Sequence, residues 1–167
     1  TLSGVRFTIP PSMSAVPFVT SVVMESMSRA RVYNRRSGAH GAGHVGWAFL
    51  VEDRLWETGA VERGGTITPP GKSGYWSDVM VDPNPRMAAL NYDTFKEFDV
   101  LSPSIALARS AEAEVSRRFF NLILHNCMQD TYNVLSAYGA NLPRIDKRWD
   151  FKPNDWYNLL GGELRRP

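Results

Sequence analysis

A single cysteine, Cys127, stands in 167 residues. That excludes an intrachain disulfide and any structural zinc site built on several thiolates. No apolar run reaches the ~20 residues needed to cross a bilayer. The longest mostly apolar stretch, Ala15 to Met24, is half that length and is broken by Pro17, Thr20 and Ser21. Charge of one sign is also lacking. Nineteen Lys and Arg against seventeen Asp and Glu leave a formal net charge of +2, too weak and too evenly spread to predict nucleic-acid or membrane-surface binding. There are no internal repeats or low-complexity tracts. Because the sequence starts at Thr1 rather than Met, the lack of a targeting segment says little about compartment.

What is present is ordinary globular usage, 43% hydrophobic and 22% charged, which rules out disorder or a collagen-like scaffold for the whole. The length fits one compact domain over 1–167, with 1–36 as an N-terminal extension of unassigned role. Val5 to Ile9 read as a short strand stopped by Pro10 and Pro11, and Phe18 to Tyr33 fit either a helix or a pair of strands. Arg29, Arg31, Arg35 and Arg36 read as a solvated basic face.

The signal sharpens after the small, flexible segment Ser37 to Gly43. From His44 to Val51, Val45, Trp47, Phe49 and Val51 alternate with Gly46, Ala48 and Leu50, so both faces can be buried and a central strand is expected. Glu52 to Arg54 make a polar break of hairpin length, and Leu55 to Glu62 read as the returning strand. Loops follow around Gly64 to Gly74 and at Asp82 to Pro85. Ser102 and Pro103 read as a helix start, with Leu107, Ala108, Ala111 and Val115 as its apolar stripe and Glu112 mostly off it. Phe119 to Leu124 form an apolar connector. Asn126 then caps a helix that ends at Gly139, and a last helix runs from near Pro153 to Gly161. Strands first and helices second suggest α+β.

Cys127 falls in the first turn of the helix capped by Asn126, where free backbone N–H groups and the positive end of the helix dipole favour a thiolate and can hold an oxyanion. A thiolate nucleophile works best beside an imidazole. His125 is two residues from the cysteine, on the connector, and its ring is badly placed to serve it. His40 sits in the Gly/Ala loop. His44 heads a rigid strand and is the best-positioned base. The spacing of His40 and His44 would suit two metal ligands on a helix, but Gly41 and Gly43 lie in it and a strand follows, so no metal and no cofactor is expected. The imidazole needs an orienting partner. A hairpin centred on Asp53 puts Glu62 opposite His44 on the same face, whereas Glu57 acquires that face only after a one-residue slip.

A histidine heading the strand from Gly43 to Phe49, a following hairpin with a polar residue, and Asn126-Cys127 opening a helix together resemble the NlpC/P60 and papain-like cysteine hydrolase superfamily. The order of His before Cys is that of its circularly permuted branch, which includes relatives of lecithin:retinol acyltransferase. The likeness rests on Gly43 to Glu62 and Leu124 to Gly139. It implies a small antiparallel sheet or partial barrel packed on the cysteine-bearing helix, a Cys127 nucleophile, a His44 base and a polar third member on the next strand. The family's usual spacing points to Glu57 as that member, and the pairing argument points to Glu62. The aromatic pair Tyr75-Trp76 has no counterpart in the family.

The resulting expectation is a cysteine peptidase or amidase using Cys127, His44 and Glu62 on a peptide or amide bond, by family likeness one in bacterial cell wall. A wall hydrolase would act outside the producing cytoplasm or be delivered as an effector with an immunity protein as partner. Two other expectations stay open. One is an acyltransferase or lipid esterase with the same nucleophile. The other is a catalytically silent binding module that holds its ligand around Tyr75 and Trp76.

Overall fold

The computed structural model describes residues 27–62, 67–68, 74–121, 126–145 and 152–167. The expected strand at Val5 to Ile9, most of the stretch from Phe18 to Tyr33, and His125 lie outside them. In chain order the elements are β1 (Ser28–Arg35), β2 (His44–Glu52), β3 (Leu55–Val61), β4 (Ile67–Thr68), β5 (Tyr75–Met80), α1 (Asn84–Ala89), β6 (Thr94–Val100), α2 (Ile105–Arg117), β7 (Phe120–Asn121), α3 (Cys127–Tyr138), α4 (Pro153–Leu159) and β8 (Glu163–Arg165). The architecture is α+β. Six strands form an antiparallel sheet in the order β5-β3-β2-β1-β6-β8, and β4 pairs with β7 apart from it.

β2 is an interior strand, as its apolar alternation predicts. Val45, Trp47 and Phe49 are fully buried on the face covered by α2, α3 and α4, in a cluster with Val134, Leu135, Tyr138 and Trp156. Burying side chains of this size contributes about 1.5–3 kcal/mol each. The opposite face carries a smaller cluster of Tyr33, Ala48, Trp56, Ala60, Met87, Tyr92 and Phe95. Gly59 makes room for Trp47, since a Cβ there would fall 2.7 Å from the indole ring.

The hairpin register runs Gly46↔Ala60, Trp47↔Gly59, Ala48↔Thr58, Phe49↔Glu57 and Leu50↔Trp56, with one irregularity beside the turn, between Leu50 and Glu52. α3 begins at Cys127 with the Asn126 side chain accepting from Gln129 N at 2.9 Å, and ends on Gly139 at φ 110°. That left-handed cap is one glycine adopts without strain.

Four expectations are corrected. The Asp82 to Pro85 stretch is the entry to α1 rather than a loop, because Pro85 at an early helical position fits φ near −65° without losing a hydrogen bond. α2 is capped by Ser104 accepting from Leu107 N, two residues beyond Ser102. On α2, Leu107 is 59% exposed while Glu112 is 3% exposed, since the Trp47 indole and the Ser77 hydroxyl both donate to the Glu112 carboxyl, at 2.6 and 3.1 Å. The arginine cluster is not a solvated face. Arg31 is buried, stacked 4.0 Å over Trp56 and 4.8 Å over Phe95, and paired with Glu97 at 2.6 Å. Strands and helices also interleave, with β6 lying beside β1 and β8 beside β6.

Candidate functional site

His44 is the first residue of β2, and the turn before it is tightly wound. Ala39, His40, Gly41 and Gly43 all have positive φ, Gly43 at 96°. Asn154, early in α4, ties this turn down. Its Nδ2 donates to Arg36 O and Gly41 O at 3.1 Å, its backbone N donates to Ala42 O, and its Oδ1 accepts from Asn34 Nδ2. A Cβ on Gly43 would meet Asn154 Oδ1 at 2.4 Å, so only glycine fits there on both backbone and steric grounds. His40 rides exposed on the turn.

Extending the hairpin register by one pair beyond Gly46↔Ala60 on the same face brings Glu62 opposite His44. Glu62 Oε2 stands 3.5 Å from His44 Nε2. At that distance the two form an electrostatic contact rather than a closed hydrogen bond, and Nε2 makes no hydrogen bond. The other side of the ring meets Cys127. His44 is 7% exposed and Cys127 5%. Burial pulls the imidazole down, but the charge of Cys127, its hydrogen bond to the ring, and Glu62 outweigh burial and raise His44 to about 9. Glu62 moves the opposite way. Burial raises it, while hydrogen bonds and charge from His44, Tyr92 and Arg35 prevail and hold it below the ordinary carboxylate value. The imidazole is therefore a cation at neutral pH, set between a sulfur and a carboxylate.

Three more side chains reach Glu62. Tyr92 Oη donates to Oε1 at 2.9 Å, Trp76 Nε1 donates to the same oxygen at 3.4 Å, and Arg35 Nη2 stands 3.3 Å from Oε2. The sequence reading missed all three roles. Arg35 pairs directly with His44 across β1 and β2, a placement that pairing arguments would have given had β1 been delimited. Trp76 was singled out as half of an aromatic ligand platform, but the strand pleat separates it from Tyr75. Tyr75 packs toward Trp47 at 6.3 Å on the helix-covered face, and Trp76 joins the opposite cluster.

Glu57 is elsewhere. It pairs with Phe49 and points to the helix-covered face, where Arg109 Nε donates to it at 2.7 Å. Replacing Glu57 by Gln is accordingly expected to leave the His44 titration where it is, whereas Glu62→Gln lowers it. NMR titration of the ring protons in both variants checks this, and equal shifts would contradict the assignment. Among the described residues, no group of three or more His, Cys, Asp or Glu side chains is placed to hold a metal, and no helix is long and apolar enough to cross a membrane. No protein-family model, curated protein or solved structure matches the chain.

Proposed function

We propose that the chain is a cysteine hydrolase of the permuted papain-like type, acting on a peptide or amide bond. The observation that carries the reading is the imidazole of His44 held between Cys127 and Glu62, three side chains delivered by a helix start and two adjacent strands. With Nε2 turned to Glu62, Nδ1 is left for the sulfur. The Cys127 thiolate would attack the carbonyl carbon, and the imidazolium would give its proton to the leaving amine as the C–N bond breaks. Water, deprotonated by the same imidazole, would then cleave the thioester and release the acid and the thiol.

The oxyanion has donors at the start of α3. Asn126 Oδ1 takes the amide of Gln129, and Asn126 O takes that of Asp130. The amides of Cys127 and Met128 precede these intrahelical bonds and face the end where the sulfur lies. The likeness to wall hydrolases suggests peptides of bacterial cell wall as the first substrates to try.

The test is to incubate the protein with such peptides, other peptide amides and simple esters, and to follow products by mass spectrometry. Cleavage of an amide with a transient acyl adduct on Cys127, both lost in Cys127→Ala, supports the reading. Turnover that survives Cys127→Ala would overturn it, and cleavage confined to esters would move the assignment to an acyltransferase or esterase.

A further inference from the structure

Glu62 has two cations within reach, and only one of them is the imidazole. Arg35 Nη2 and His44 Nε2 approach the same oxygen, Oε2, at 3.3 and 3.5 Å. A guanidinium left to choose takes a carboxylate through both oxygens, because its planar fork matches them. Arg35 is well placed to do so, since its Nη1 is anchored on Leu90 O at 2.8 Å. A two-oxygen pair with Arg35 would draw the carboxylate away from His44. What prevents it is that Oε1 is already taken, by Tyr92 Oη at 2.9 Å and, more loosely, by Trp76 Nε1 at 3.4 Å.

Tyr92 suits this task. It is 3% exposed, with its ring 5.8 Å from the imidazole and edge-on to Tyr33 at 6.2 Å. Its backbone N donates to Met87 O, which fixes it to the end of α1. Burial and the charge of Glu62 hold its hydroxyl well above the ordinary tyrosine value, so the oxygen keeps the proton that it donates.

We propose that Tyr92 is a positioning residue whose hydroxyl occupies Glu62 Oε1 and so keeps Oε2 on His44 rather than surrendering the carboxylate to Arg35. The inference rests on the Cys127, His44 and Glu62 reading and adds a fourth member to it, acting through the third.

Tyr92→Phe removes the hydroxyl and keeps the ring. Two readouts need no substrate: the His44 ring titration by NMR, and the rate at which iodoacetamide alkylates the one thiol at fixed pH. Losing one charge-assisted hydrogen bond in the chain is expected to lower the His44 midpoint by about one pH unit and to slow alkylation with it. In a Glu62→Gln background the same change is expected to do nothing further, because the hydroxyl acts only through that carboxylate. Trp76→Phe, which strips the longer of the two Oε1 bonds, gives a smaller shift in the same direction and serves if Tyr92→Phe does not fold.

A wild-type imidazole titrating near the ordinary 6.5 would remove the Cys–His pair, and this inference with it. A wild-type value near 9 that Tyr92→Phe leaves unmoved overturns the inference alone. So does a Tyr92→Phe shift that persists in full with Glu62→Gln, since the hydroxyl would then be acting on the ring directly.

Discussion

Replacing His44 by Ala is expected to slow alkylation of Cys127 near pH 6.5 about a hundredfold, because a thiol left with the ~8.5 of a free cysteine is only about 1% ionised there. The reciprocal change is equally diagnostic. The two largest influences raising the imidazole come from Cys127, and burial opposes them. Cys127→Ala therefore drops the His44 midpoint from about 9 to well below that value, with Glu62 alone left to counter burial. The two arms measure one coupling free energy from both ends, so they must agree in size. Alkylation of the wild type tracking that of His44→Ala at every pH would show that sulfur and ring do not interact. The imidazole arm does not depend on access of the reagent, which matters for a cysteine that is 5% exposed.

The second large effect concerns stability and lies away from the site. Burial, reinforced by a hydrogen bond with Glu57, raises Glu112 to about 8, and burial raises Asp130 to about 7 despite the pull of Arg118. Each acid keeps its proton in the folded chain over a range where the unfolded chain has lost it. The folded state therefore binds more protons, and stability falls as pH rises from about 4.5, the ordinary value for glutamate, through about 8. Each proton so held makes the slope about 1.4 kcal/mol per pH unit. Glu112→Gln presents a neutral amide at every pH, as the protonated acid does only below its titration. It is expected to flatten the decline, and Asp130→Asn added to it should flatten what remains. Urea midpoints across that pH range measure both effects, and a Glu112→Gln profile parallel to wild type would show that Glu112 is ionised in the fold.

The pieces of this site that could be read from sequence were those with local signals. The alternation around Trp47 and the polar break at Glu52 to Arg54 gave β2, β3 and a pairing constant that the register keeps from Leu50 to Gly46. The irregularity between Leu50 and Glu52 sits at the turn and is not passed on, so Glu62 meets His44 and Glu57 does not. Asn126 and Gly139 bracketed α3 for the same kind of local reason. Arg35, Trp76, Tyr92 and Asn154 had no such signal. Their roles depend on which strands adjoin and on what α1 and α4 bring near, contacts that span dozens of residues and leave no period behind. Polarity itself misled at Arg31 and Glu112, since a charged side chain enters a core once partners such as Trp56 and Glu97, or Trp47 and Ser77, meet it there.

The staple that Asn154 places on the turn before His44 also bears on timing. Translation delivers His44, Glu62 and Tyr92 early, Cys127 much later, and Asn154 after that. A nascent chain can close the β2–β3 hairpin as soon as it emerges, yet the turn that aims the imidazole has no anchor until α4 has been made. Ribosome-bound intermediates thus carry an unfastened histidine and, for most of synthesis, no thiol at all, so the reactive pair is assembled only as synthesis nears its last residues.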